Sequence, residues 1–275
     1  MRLFLLTALA MTAFAANSVL NRMAVGGGFI DPLHFAEVRL MAGAVMLAAL
    51  VAARRGAIWP GGKGRIAGVT GLLAYLLGFS LAYVGLPAGV GALILFGVVQ
   101  ITMFGGAVLG GDAVPARRWM GAGVAFCGLL LLLAPAGAAV SVLHAGLMAV
   151  AGVGWGIYSL AGRGQRDALA ATAANFVLAL PAMVLAVWAL PDGTVAMQPQ
   201  GVWLAVLSGA VTSGLGYALW YRVVPDLGAA RAALAQLTVP VLAAAGGLAV
   251  IGEGVSWRFA IAAVVVLGGV AFGNR

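Results

Sequence analysis

Residues 88–109 read AGVGALILFGVVQITMFGGAVL, twenty-two consecutive positions without a charged side chain. As a helix rising about 1.5 Å per residue, such a run is about 33 Å long, enough to cross the hydrocarbon core of a bilayer. The rest of the chain repeats that character. Hydrophobic residues make up 64% of the 275 positions and charged residues only 8%, and mean hydropathy is +1.11. A water-facing globule carries about a quarter charged residues, so the solvent for most of this surface is lipid. The net charge of +8 does not read as a nucleic-acid footprint. The basic residues lie in short segments between apolar runs, where membrane topology signals sit, rather than on one soluble face.

Ten runs of spanning length follow: Leu3–Met23, Pro32–Ala53, Gly64–Gly85, Ala88–Leu109, Pro115–Ala134, Val142–Gly162, Ala168–Leu190, Val202–Val224, Leu227–Ile251 and Trp257–Gly273. Their separators carry breaker chemistry, including Gly26–Pro32, Trp59–Gly62, Leu86-Pro87, Pro191-Asp-Gly193 and Pro225-Asp226. The first run also resembles a signal peptide, with Met1-Arg2, an apolar stretch and Ala13-Phe14-Ala15. We read it as an uncleaved span, because it has a counterpart in the second half of the chain. Cys127 is the single cysteine and lies within an apolar run; it reads as a small buried residue.

Basic residues orient the spans. Twelve of the fifteen Lys and Arg fall on one side: Arg2, Arg54, Arg55, Lys63, Arg65, Arg117, Arg118, Arg163, Arg166, Arg222, Arg231 and Arg275. Arg22 and Arg258 mark the other side, and Arg39 lies within a span. Both termini are therefore expected in the cytoplasm of a multi-pass protein of the bacterial inner membrane.

Shifted by 141 positions, the two halves align without a gap. Leu6, Arg22, Phe35, Gly68, Gly105-Gly106 and Arg117 fall on Leu147, Arg163, Phe176, Gly209, Gly246-Gly247 and Arg258. Phe14 meets Trp155, Phe79 meets Trp220 and Asp112 meets Glu253. Chance identities are common in an Ala/Gly/Leu-rich chain, but one register holds through all five spans. Because five is odd, the second copy enters the membrane upside down. The expected fold is thus all-α, ten transmembrane helices in two inverted five-helix repeats, residues 1–134 and 142–275, forming one membrane domain. Inverted repeats are the architecture of secondary transporters, with a site near the midplane between halves; duplication in a channel or membrane enzyme is the other reading.

The chain resembles the EamA-type branch of the drug/metabolite transporter superfamily over essentially its whole length. The likeness is carried by Phe14-Ala-Ala-Asn-Ser-Val-Leu-Asn-Arg22, by Asp31–Leu40 with Arg39 at the usual arginine position, and by Ala235–Val241 followed by Gly252-Glu253. The first copy departs from the pattern, with Val99 opposite Pro240 and Asp112 opposite Glu253. The resemblance implies a ten-span exporter of amino acids or similar metabolites, and within the family it is similar to the YddG-type aromatic amino acid exporters.

A polar solute needs polar groups inside the bundle, and positions i, i+3, i+4 and i+7 share a helix face. Phe14, Asn17, Ser18 and Asn21 form such a stripe on the first span, and Trp155, Tyr158 and Ser159 on its repeat partner. Tyr75, Phe79 and Tyr83 line the third span, and Ser213, Tyr217 and Trp220 the eighth. Phe96 with Gln100, and Gln236 with Thr238, come from the fourth and ninth. Aromatic faces beside amides and hydroxyls suit an amino acid with a flat apolar side chain. The same residue types also serve as glue between helices or as interfacial anchors.

Glu37 and Arg39 are the full charges deep in a span, on different faces of one helix, with His34 near the face of Glu37. A proton relay through His34 and Glu37 is one reading; a snorkelling Arg39 and a vestibule-lining Glu37 is the other. Pro181 and Pro240 are candidate hinges, and Gly106-x-x-x-Gly110 and Gly269-x-x-x-Gly273 permit close helix contact.

The expected activity is export of neutral, aromatic amino acids by alternating access, as a monomer or homodimer with no cofactor and no bound metal. Export of other lipophilic metabolites or cationic drugs is the first alternative. A multispan enzyme acting on lipid-linked substrates is the second, and no His-Glu-x-x-His, paired-aspartate or Gly-x-Ser-x-Gly motif supports it.

Overall fold

Helix caps are written into the sequence at several of the span starts. Asp31 accepts a hydrogen bond from the Leu33 amide at 2.8 Å, with Pro32 in the first turn of the helix it opens. Asp167 caps a second helix through the Ala170 amide at 3.0 Å, and the Ser256 hydroxyl accepts from the Phe259 amide at 3.1 Å at a third. The structure, a computed structural model, describes residues 1–59, 61–111, 115–133, 140–162, 165–190 and 195–273, without the side chains of 133, 228–231 and 233. Among them the helices are α1 (Arg2–Asn21, with wider turns at Arg22–Gly26), α2 (Pro32–Ala53), α3 (Arg65–Ala82), α4 (Ala88–Leu109) and α5 (Ala116–Leu133). The second half has α6 (Val142–Ala161), α7 (Ala168–Ala189) and α8, which runs from Pro199–Val206 through wide turns at Leu207–Leu215 into Gly216–Gln236. It closes with α9 (Val239–Gly246, then wide turns at Gly247–Ile251) and α10 (Trp257–Gly273).

Eight stretches of these helices are long and apolar enough to cross a bilayer, and α10 is apolar but has 17 residues. Polarity is arranged inside out relative to a soluble protein. Met41, Val45, Leu143, Val153, Leu185 and Val264 are exposed, while Asn17, Asn21, Arg39, Ser80, Thr172 and Ser213 are buried. Trp59, Trp119, Trp188, Trp203 and Trp257 are exposed at or near helix ends, where indoles favour the headgroup level. That leaves Trp155 and Trp220, of the seven tryptophans, in the interior.

The packing follows one plan in both halves. α3 lies along α6 as α8 lies along α1, and α4 meets α6 as α9 meets α1. Counterpart helices also meet directly: α2 with α7, α4 with α9, and α5 with α10. Glycines set the closest approaches. A Cβ at Gly71 would sit 2.7 Å from the Gly154 carbonyl, and one at Gly154 would sit 2.6 Å from the Gly71 carbonyl. α3 and α6 therefore touch backbone to backbone. Gly121 and Gly269 make the same reciprocal contact between α5 and α10, so the Gly269/Gly273 pair is at an interface, whereas a Cβ at Gly110 meets only its own helix. Gly71→Ala is expected to destabilise the protein by about 1–3 kcal/mol through overpacking, seen as a lower unfolding temperature. Gly146→Ala on α6, where a Cβ meets nothing within 4 Å, should leave it unchanged.

One separator is corrected. Pro225-Asp226 was expected to end the eighth span, yet helix continues to Gln236 with Pro225 inside it. The break falls at Leu237-Thr238, whose amides bond to the carbonyls three residues back at 3.1 and 3.0 Å. Pro240 then occupies the first turn of α9, where its missing N–H is no loss. It starts a helix and does not sit well inside one. Asp112, Arg163, Asp192 and the Pro191–Gly193 separator lie outside the described residues.

Candidate functional site

The site is built outward from Asn17, 3% exposed one turn before the C-terminal end of α1. Its Oδ1 accepts from the hydroxyls of Ser208 at 2.8 Å, Thr212, and Ser213 at 3.4 Å. All three lie in the wide-turn stretch of α8, a geometry that often marks functional positions in helices. Removing the Asn17 carbonyl would strand buried donors, at a cost of about 1–3 kcal/mol each. One turn further, Asn21 Nδ2 donates to Ser80 Oγ at 3.1 Å, and Asn21 Oδ1 is buried with no hydrogen-bond partner among the described residues.

Aromatic rings close around this polar seam. Trp155 is the joint, with its ring 4.9 Å from Tyr75, 5.2 Å from Tyr217 and 5.1 Å from Tyr158, the last stacked at 23°. Phe14 meets Tyr217 and Trp220 edge-on, each at 5.7 Å, and Phe79 meets Tyr75 at 5.2 Å and Tyr83 at 4.8 Å. These centroid separations lie in the favourable range for ring pairs. A small central cavity is lined by Phe14, Asn17, Ser18, Tyr75, Phe79, Leu95, Phe96, Trp155 and Tyr217. At about 20 Å³ it has room for a water molecule and none for a metabolite.

Both ends of the cavity are tied. At the end carrying the α1–α2 and α3–α4 turns, Arg22 Nε pairs with Glu253 Oε1 at 2.7 Å, and Arg22 Nη1 donates to the Tyr83 and Val84 carbonyls at 3.0 and 2.9 Å. The other oxygen of Glu253 accepts from the Ala88 amide at 2.7 Å, so the carboxylate also caps α4 and meets its helix dipole. This one ion pair joins α1, the end of α3, the start of α4 and the loop after α9. At the opposite end Arg54 grips both oxygens of Asp167 at 2.6 Å, and Arg65 donates to Asn175 Oδ1 and the Ala171 carbonyl at 2.6 and 2.7 Å. The Arg54 hydrogen bonds hold the Asp167 carboxyl below its ordinary range, so this tie is present at neutral pH and is lost only as acid protonates Asp167. A second small pocket lies at this end, lined by Arg65, Tyr158, Thr172, Asn175 and Tyr221 among others. Tyr158 belongs to this pocket and Trp155 to the central cavity, so their stacked rings stand between the two.

Comparison with known proteins agrees with this plan. The EamA-like transporter family matches residues 143–275. The chain is 44% identical over 270 residues to an uncharacterized protein of Pseudomonas aeruginosa, covering 98% of this chain and 93% of that protein. It belongs to the EamA-like transporter family. A solved structure described as "Crystal structure of protein" has the same fold, with TM-score 0.66 and 22% identity over 98% of this chain and 97% of that one.

Within this EamA-family bundle the expected residues fall into three groups. Phe14, Asn17, Ser18, Tyr75, Phe79, Trp155 and Tyr217 line the cavity. Tyr83, Tyr158, Ser213 and Trp220 stand directly behind the lining, in contact with it. The remainder are elsewhere. Ser159 Oγ bonds to its own helix at Trp155 O, 2.7 Å, and Gln100 and Gln236 are half-buried outside the lining. His34 Nδ1 lies 3.9 Å from Asp31 Oδ1 and Glu37 is half-buried, neither beside the cavity. Pro181 sits inside α7 on an exposed face.

Arg39 is fully buried and does not snorkel. Its Nη2 donates to the Tyr75 hydroxyl at 2.8 Å and its Nε to Ser213 Oγ at 3.2 Å, while its guanidinium carbon lies 5.2 Å from the Tyr75 ring centre and 5.0 Å from that of Phe79. Ser208 and Thr212 were missed. Their spacing to Ser213 was visible, but small hydroxyls in an apolar span look like packing until Asn17 is brought opposite them.

Proposed function

We propose that this chain exports neutral, aromatic amino acids across the bacterial inner membrane by alternating access. The family supports the coarser statement, a membrane transporter of small molecules. The observation that carries the finer reading is the cavity itself, where a box of Phe, Tyr and Trp rings surrounds an amide–hydroxyl cluster. A flat side chain stacks in such a box, and a zwitterion finds buried hydrogen-bonding groups beside it. Rings packed to leave about 20 Å³, with ties at both ends, support reading this arrangement as an occluded state. In this reading residues 1–134 and 142–275 are inverted repeats that rock about the α2–α7 and α4–α9 contacts, releasing one tie at a time. The bias of basic residues places both termini, and the Arg54–Asp167 tie, on the cytoplasmic side.

The test is counterflow in liposomes holding the purified protein. Saturable flux of intact tryptophan or phenylalanine, competed by other neutral amino acids, is the expected result. Flux restricted to lipophilic cations would favour a drug exporter, and product formation without flux would favour an enzyme. Membrane-impermeant labelling of cysteines placed at Gly56 and Gln165 checks the topology. Both should react from the same side of the membrane, and reaction from opposite sides would break the inverted-repeat reading.

A further inference from the structure

Arg39 presents a charge problem that the bundle alone does not solve. Its side chain is 0% exposed, and a guanidinium stays charged at any physiological pH. An unpaired buried charge costs several kcal/mol, yet no carboxylate among the described residues pairs with Arg39. Glu37, two residues away, lies on another face of α2. What Arg39 has instead is the hydroxyls of Tyr75 and Ser213, a further polar interaction with Tyr217, and the faces of two rings, Tyr75 and Phe79. Its Nη1 is buried with no hydrogen-bond partner among the described residues.

The location of this unspent donor is informative. Tyr75 and Phe79 are walls of the central cavity, and Ser213 donates to Asn17, another wall. Every group that touches the guanidinium is therefore a cavity wall or is bonded to one. α8 is pressed onto the α2 backbone at this point, because a Cβ at Gly209 would collide with the Arg39 carbonyl. The second orphaned polar atom is Asn21 Oδ1, an acceptor, held through Ser80, which follows Phe79 in α3. Among the described residues, the two buried side-chain polar atoms without partners are thus one cationic donor and one neutral acceptor.

We propose that Arg39 is the fixed counter-charge for the carboxylate of the transported solute, which makes small carboxylates the substrate class. When the walls separate, the free Nη1 and the Tyr75-bound Nη2 present a fork suited to a carboxylate. Asn21 Oδ1 offers an acceptor for an ammonium group on the same solute. A cation without a carboxylate meets a fixed positive charge and is rejected. The assignment rests on the transport reading above and deepens it by naming the group that holds the solute's carboxylate.

The experiment compares matched ligands on the wild-type protein, so it does not depend on a variant folding. Ligand-induced rises in unfolding temperature and competition of counterflow are measured for tryptophan against tryptophanamide, indole-3-propionate against tryptamine, and leucine against leucinamide. The carboxylates should act at concentrations at least tenfold lower than their partners. Arg39→Gln should abolish that ratio and Arg39→Lys should retain part of it, whereas a merely structural arginine would weaken both members of each pair equally. Equal action of acids and amides, no response to any acid, or competition by inorganic phosphate as strong as by the acids would overturn the assignment. A preference for leucine over leucinamide with inert indoles would sink the aromatic reading and leave the role of Arg39 standing. Equal flux of an amino acid and its amide would do the reverse.

Discussion

Trp155→Ala is expected to lower counterflow roughly a hundredfold while the protein still inserts and purifies. Trp155 touches three rings, Tyr75, Tyr158 and Tyr217, and it lines the cavity while its stacked partner Tyr158 lines the next pocket. It is wall and divider together. A buried aromatic anchor at a binding centre contributes about 2–4 kcal/mol on truncation, which is roughly 30- to 1,000-fold in affinity. Insertion is expected to survive because Ala keeps the span apolar. The α3–α6 contact made through Gly71 and Gly154 is also untouched. Membrane-fraction yield and flux, measured on the same preparation, separate the two effects. Tyr217→Ala removes the ring that joins Trp155 to Phe14 and Phe176 and should also cut flux, at least tenfold. Wild-type flux from Trp155→Ala would take that ring out of the transport path.

The second large effect lies at the Arg22–Glu253 tie. Glu253→Gln keeps an oxygen for the Ala88 amide but removes the charge facing Arg22, both side chains being at most about a quarter exposed (23% and 15%). Truncating one partner of a largely buried, hydrogen-bonded ion pair costs about 2–5 kcal/mol. In the proposed cycle the state open at that end gives up this contact, so its loss is expected to shift the population toward that state, by roughly thirtyfold or more. The measurement is reaction of a cysteine at Ser18, a cavity wall, with a membrane-impermeant maleimide after Cys127→Ala. Faster labelling from outside in Glu253→Gln is the expected result. An unchanged rate would mean that the ion pair caps α4 and closes nothing.

The membrane character, the ten helices and most of the cavity residues were legible along the chain. Phe14, Asn17 and Ser18 share a face because they are three and four positions apart, and Tyr75 and Phe79 do so for the same reason. Within a helix of known period, spacing determines facing. The reading failed where the period changed or where the partner was distant. Wide turns at Leu207–Leu215 gather Ser208, Thr212 and Ser213 toward Asn17, almost two hundred positions away. Proline chemistry predicts a stop at Pro225, but helix continues through it to the break at Leu237-Thr238.

Arg39 marks the boundary between the two kinds of information. The sequence by itself determined that a charge stood within an apolar span, since lipid leaves so few charges that one in a span stands out. Whether it reached outward or inward depended on what α3 and α8 offered. Tertiary packing supplied the Tyr75 and Ser213 hydroxyls, Tyr217 and two ring faces for the guanidinium and left one nitrogen without a partner among the described residues. Hydropathy is a sum along the chain and survives in any arrangement of the helices. Hydrogen-bond satisfaction is a property of pairs brought together across the bundle, and only the folded arrangement decides it.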